Sequence, residues 1–257
     1  MGDTIIYESR DCISYIYFNR AARYNALNEE MLEELLQTIK EVEKNDDAIV
    51  ILSGEGNAFC SGGDISMMKG FSDKSYFDNI MEMIEQIVLK LYMMPKIIIS
   101  SIHGSVAGLG LSIALTADFV VAQKEAKLGM LFIGVGLVPD GGGHFWLQER
   151  LGTQQAKQFI WGLKQVDGIK AKQMGLVDIT AEDKAMPHAT KLANQLLETP
   201  LAAMLQTKMI YHSKQKEVLR YYLEEEKQSQ WELRNTEDHQ EGVKAFLEKR
   251  KPVFKGK

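Results

Sequence analysis

The sequence predicts an α/β fold with crossover connections, and three observations carry that expectation. Short apolar runs alternate with amphipathic stretches through most of the chain. Two glycine-rich turns, 58–64 and 103–112, each follow a strand-like run and precede a helix-like one. From about Thr199 onward strand candidates disappear, and only helix formers and charges remain. Strands separated by helices build a largely parallel sheet. Residues 199–257 then read as a helical appendage to a core of residues 1–198, not as an independent domain.

The elements follow in order. Residues 4–9 and 12–19 are β-rich runs flanking Arg10-Asp11, a hairpin pattern. Asn28 is placed to cap a helix whose Met31, Leu32, Leu35, Leu36, Ile39 and Val42 keep an amphipathic period. Residues 48–53 form an apolar strand leading into the turn 54–57, and residues 59–64 form a second, glycine-rich turn. A methionine-rich helix over 75–93 stops before Pro95. Residues 96–102 and 118–122 are strands, and the small residues of 104–117 lie between them. The apolar stretch 128–138 ends at Pro139-Asp140-Gly141-Gly142-Gly143, and a helix begins near His144. The tail reads as helices over 201–212, 216–234 and 237–249.

The bulk composition excludes several classes. The 257 residues are 45% hydrophobic and 25% charged, enough for a sizeable core without disulfide or metal. The net charge of -5 comes from interspersed signs and offers nucleic acid no basic face. Lys249, Arg250 and Lys251 read as a solvated helix end. Cys12 and Cys60 have no metal-ligand spacing and read as reduced, mostly buried thiols. The first ten residues lack the build of a signal peptide, Ile6 breaks the myristoylation pattern after Gly2, and no stretch is long enough to span a membrane. Cytoplasm is the expected location.

Two glycine-rich turns carry the chemistry: Ala58-Phe59-Cys60-Ser61-Gly62-Gly63-Asp64, and residues 103–112. Each follows a strand and precedes a helix. Helix N-termini leave backbone N–H groups free, and two of them aimed at one point make an oxyanion hole. Plain turns are the simpler reading of either segment alone. A dinucleotide loop fails because Ile113 stands where its third glycine belongs, and a hydrolase elbow fails because Ser105 lacks G-x-S-x-G spacing.

Four segments in order resemble the crotonase (enoyl-CoA hydratase/isomerase) superfamily. Asn19-Arg20 with Asn25-Ala26-Leu27 is similar to its N-R-P-x-x-x-N-A-L segment, with Ala21 in place of proline. Residues 58–64 are similar to its A-F-C-A-G-x-D turn, 103–118 to its second glycine turn and helix, and 242–254 to its tail. The resemblance implies a spiral of β-β-α turns with a C-terminal helical trimerisation region, acting on acyl-CoA thioesters as a homotrimer or a dimer of trimers. It implies an oxyanion hole from the N–H groups of Gly63 and Leu109, the second standing where the family often has glycine. It places CoA contacts at Ala26, Leu27, Ser61, Asp64 and Ile65, and at Phe246 and Lys249 of the tail. Phe246 reads equally as an anchor of its own helix. Coenzyme A belongs to the substrate, and no separate cofactor or metal is implied.

The hydratases of that family use two glutamates, and here Ser112 and Phe132 stand at those positions, on the expected acyl pocket. Water addition needs a base and an acid, so the missing pair points elsewhere. Asp140 remains. Locally it reads as a helix cap or turn residue. The resemblance makes it a catalytic acid/base, most like the phenylacetate-pathway isomerase branch, which has a similar G-L-I-P-D turn. The expected reaction is the shift of a double bond from 3-enoyl-CoA to 2-enoyl-CoA. A hydratase using Asp140 and an ordered water, and a non-catalytic acyl-CoA-binding relative, are the alternatives. Phe132, Phe145 and Trp146 are expected to desolvate Asp140. His103 reads as structural and His144 as a surface residue. Met67, Met68, Met81, Met83, Met93 and Met94 read as either a pliable pocket wall or core packing.

Overall fold

Residues 3–257, apart from the side chain of Lys69, are described in the computed structural model. Strands β1 (Ile5–Arg10) and β2 (Ile13–Phe18) pair antiparallel, with Arg10 opposite Ile13. Between them Asp11 and Cys12 have φ of 53° and 62°, the left-handed pair that a two-residue hairpin needs to match the twist of its strands. The turn therefore sits one residue later than Arg10-Asp11. It also corrects the expectation for Cys12, which is exposed because it is a turn residue. Cys60 is buried as expected, and burial pushes its thiol up to about 12.

Strands β3 (Ile49–Gly54), β4 (Ile97–Ile102), β5 (Ser105–Ala107), β6 (Phe119–Gln123), β7 (Lys127–Gly129) and β8 (Ile179–Ala181) follow. The main sheet runs β1-β2-β3-β4-β6-β8 and is parallel from β2 onward, while β5 and β7 form a separate parallel pair. Every residue of β3 and β4 is buried. A parallel strand covered on both faces reads as a continuous apolar run, not an alternating one.

Helices α1 (Glu29–Val42) and α2 (Lys74–Met93) cover one face of the sheet, and Val50, Leu52 and Ile98 point into that core. Asn28 caps α1 by accepting the Met31 N–H at 3.2 Å. Helices α3 (Leu109–Ala114), α4 (Gly143–Leu151), α5 (Thr153–Trp161) and α6 (Gly168–Met174) lead to α7 (Ala185–Leu197). Through Ala185, Ala189 and Ala193, α7 packs on Ile49, Ile51, Ile97 and Ile99, the opposite face.

The tail is α8 (Leu201–Leu233) and α9 (Glu237–Leu247). The two helices expected over 201–212 and 216–234 are one helix of 33 residues. The intervening Ser213-Lys214-Gln215 holds no glycine or proline, and its side chains cost a helix only tenths of a kcal/mol. At 1.5 Å per residue α8 is about 50 Å long. It begins with Leu201, Met204 and Leu205 on the second core, and Leu219 and Leu223 join the first. In between, the buried Lys208 ammonium donates to Asp118 and to the Lys96 carbonyl, both at 2.8 Å. Its last turns carry Glu226, Gln230 and Arg234 to the site described below. Among the described residues no helix is long and apolar enough to cross a membrane.

Candidate active site

The two glycine turns lie side by side. Cys60 donates its N–H to Ser105 at 3.1 Å and accepts from Ala107 at 3.0 Å. On the other edge, Leu27 donates to the Gly62 carbonyl and accepts from the Asp64 N–H, each at 2.8 Å. That bridge uses the groups flanking Gly63, so the Gly63 N–H faces the opposite way. Leu109 opens α3, where a backbone N–H has no partner within the helix. Neither of these N–H groups donates to an acceptor among the described residues, and both residues line one cleft of about 1000 Å³, its open mouth included. The turns meet at Gly62 and Gly108, whose φ values are 105° and 53°. A Cβ on Gly62 would stand 3.0 Å from the Ala107 carbonyl oxygen and would wedge the turns apart.

Asp140 lies on the same cleft. Its backbone carbonyl accepts from the Ser112 hydroxyl at 2.7 Å and from the Gly143 N–H at 3.1 Å. Its side chain caps nothing: α4 has Gly142 at its cap position with no side-chain cap of its own. The cap comes from Glu226 on α8, a residue the sequence reading missed. Glu226 accepts the Gly142 N–H at 2.7 Å and the His144 N–H at 2.9 Å, and lies 2.7 Å from His144 Nδ1. Asp140 Oδ1 is therefore left buried without a partner. Burial and the neighbouring Glu226 charge push the Asp140 carboxyl up to about 8, against a smaller downward pull from Arg234. Phe132 contributes to this apolar wall, as expected. Phe145 and Trp146 do not: they pack with Tyr92 outside the cleft. Leu137, Ile80 and Ile84 take their place.

The other residues expected at the site divide. Ser61, Asp64, Ile65 and Phe246 line the cleft, Phe246 from this chain's own tail. Asp64 is bound to Arg20 at 3.0 Å and accepts the Ser66 N–H at 3.0 Å. Burial raises its carboxyl, but these partners together outweigh burial and hold it below its ordinary value. Ala26, Leu27 and Lys249 lie outside the lining; Leu27 is fully buried, holding the Gly62–Asp64 bridge. Ser112 is corrected from pocket wall to buried support, since its hydroxyl is spent on the Asp140 carbonyl. Met67, Met68 and Met81 line the cleft, while Met83 and Met94 are core. His103 Nε2 lies 3.1 Å from the Gly56 carbonyl, away from the cleft. Gln230 and Arg234, also unforeseen, close the far wall.

Two unspent donors facing a cleft with one free carboxylate oxygen suit a thioester whose carbonyl oxygen becomes an enolate. A model of the enoyl-CoA hydratase/isomerase family matches residues 8–257, and the chain belongs to that family. YhaR of Bacillus subtilis, whose name places it in the same group, is 45% identical over 96% of this chain and 97% of its own length. The 1,2-epoxyphenylacetyl-CoA isomerase of Escherichia coli is 31% identical over 93% of each chain. Among solved structures, an enoyl-CoA hydratase from Mycobacterium avium subsp. paratuberculosis superposes with a TM-score of 0.89 at 25% identity, covering 98% of both chains. The fold is accordingly the crotonase fold.

Proposed function

We propose that the protein is an acyl-CoA isomerase that moves a double bond from 3-enoyl-CoA to 2-enoyl-CoA, with Asp140 as its acid/base. The observation that supports this reading is that, among the described residues, Asp140 is the one unengaged carboxylate on the cleft, since Asp64 is held by Arg20 and Ser66. Ionised Asp140 takes a proton from C2, the Gly63 and Leu109 N–H groups hold the enolate oxygen, and the Asp140 acid returns the proton to C4. Coenzyme A enters as part of the substrate, with Ser61, Asp64, Ile65 and Phe246 around it. Ala26 and Lys249 would meet it beyond the lining, and the buried Leu27 would act through the turn it holds.

A carboxyl pushed up to about 8 is ionised in about a tenth of molecules at pH 7, and the ionised form is correspondingly basic. Because the base acts deprotonated, kcat/KM for 3-enoyl-CoA should climb with pH up to about 8 and then level. Thioester absorbance follows this directly, with 2-enoyl-CoA as the second substrate. Loss of the 2-enoyl signal through hydration, without isomerisation of 3-enoyl-CoA, would overturn the reading in favour of a hydratase.

The same reading has the chain act as a trimer or a multiple of one. On α8, Ile210 and Tyr211 are 72% and 68% exposed and Val218 and Tyr221 lie further along the same helix, apolar side chains of the kind a subunit contact would cover. Sedimentation at micromolar concentration should give a trimer's mass or twice it, and a monomeric mass would refute this.

A further inference from the structure

We propose that Arg234 reads the far end of the acyl group, and that the cleft takes CoA thioesters whose acyl chain ends in a carboxylate. This rests on the cleft being the acyl-CoA site, and adds the substrate class.

Arg234 follows the last turn of α8 and lines the cleft together with Asp140. Its guanidinium lies over Phe71 at 4.5 Å and Phe77 at 4.8 Å. Neither ring contact spends a hydrogen-bond donor, so the five N–H groups of the guanidinium stay available to other partners. Among the described residues none accepts from this side chain, and Nε is buried without a partner. Buried donors in native proteins are almost always satisfied, so an unsatisfied one on a cleft wall marks the place of a ligand atom.

The charge points the same way. Burial pulls the guanidinium down to about 10, which leaves it a cation at neutral pH. Asp140, the acid of the cleft that acts on it electrostatically, is mostly protonated there. Most of the cleft lining is apolar, with Met81, Ile80 and Ile84 among its residues. A cation without an ion-pair partner in a largely apolar cleft favours an anion carried on a hydrocarbon stem, and the planar fork matches a carboxylate through two parallel hydrogen bonds. Arg234 interacts electrostatically with Asp140, the proposed proton-transfer group, and this favours the acyl part of the substrate over the phosphates of coenzyme A as its partner. A cation at the C-terminus of α8 is also favoured by the helix dipole. That accounts for positive charge at 234 but not for a buried Nε without a partner.

The test uses saturated thioesters, so it needs no turnover. Calorimetric titration compares succinyl-, adipoyl- and suberoyl-CoA with butyryl-, hexanoyl- and octanoyl-CoA. For at least one length the carboxylate-ended ligand should bind about tenfold tighter or more, the scale of a hydrogen bond to a charged group. Arg234→Met should erase that preference, and Arg234→Lys, which keeps the charge without the fork, should keep part of it. Equal or tighter binding of the alkyl ligand at every length overturns the proposal on the wild-type protein alone, whatever the variants do. A preference that survives Arg234→Met in a folded variant also overturns it. If both ligand series bind alike, the acyl-CoA site stands and the carboxylate reading falls. If neither series binds, both fall.

Discussion

Replacing Asp140 by asparagine is expected to slow 3-enoyl-CoA isomerisation by about 100-fold or more, the lower end for removal of a general base, while acyl-CoA affinity changes little. Asparagine matches the shape but accepts no proton near neutral pH. The Pro139–Gly143 turn does not depend on the replaced side chain: Ser112 and Gly143 hold the Asp140 backbone carbonyl, and Glu226 holds Gly142 and His144. Stability should not fall. The folded pKa of this acid is raised, so between the unfolded value near 4 and the folded value of about 8 the native state binds the extra proton, and stability declines as pH rises through that window. An amide has no such window, so the variant's melting temperature at pH 7 should equal or exceed that of the wild type. A variant that is stable and fully active would mean that Asp140 moves no proton. Ser112→Ala cannot serve as a silent control, because it removes the hydrogen bond that sets the Asp140 backbone in place.

What the sequence disclosed was whatever is written locally. Asn28 announces α1 because a cap needs its side chain within three residues of the N–H it accepts. The unbroken apolar runs of β3 and β4 announce buried parallel strands. Gly62 and Gly108 stand out because close backbone approach and left-handed backbone both select glycine. The three residues of β8 carry no period at all; they are a strand only because Val121 and its neighbours pair with them. The largest gap was the α8 wall of the site. Glu226 meets Gly142 across 84 positions of sequence, and in a helix crowded with charges it looks like any solvated glutamate. One signal was available: Leu219, Leu223, Glu226 and Gln230 keep a single helical stripe, so the polar pair continues the buried face. Polar residues on such a stripe are where a core hands over to a functional cleft, because a buried polar group there needs a partner from another element.

Gly63→Pro is the second substitution expected to silence the enzyme, with a loss of about 100- to 1000-fold in kcat, as for removal of one oxyanion donor. Proline deletes the N–H that faces the cleft. The bridge that holds this turn survives the change, since it runs through the Gly62 carbonyl and the Asp64 N–H to Leu27 and uses no group of Gly63. Gly63 also lies outside the left-handed region, and a Cβ there would meet nothing within 4 Å. Gly63→Ala is thus the matched control: it adds a side chain, keeps the N–H, and should retain most of the turnover. If the proline ring unfolds the turn, circular dichroism and acyl-CoA binding will report it, and Leu109→Pro at the first position of α3, where proline is tolerated, probes the other donor. An active and folded Gly63→Pro protein would place the oxyanion hole elsewhere. So would an alanine variant as inactive as the proline one, because the two differ in the donor and share the added bulk.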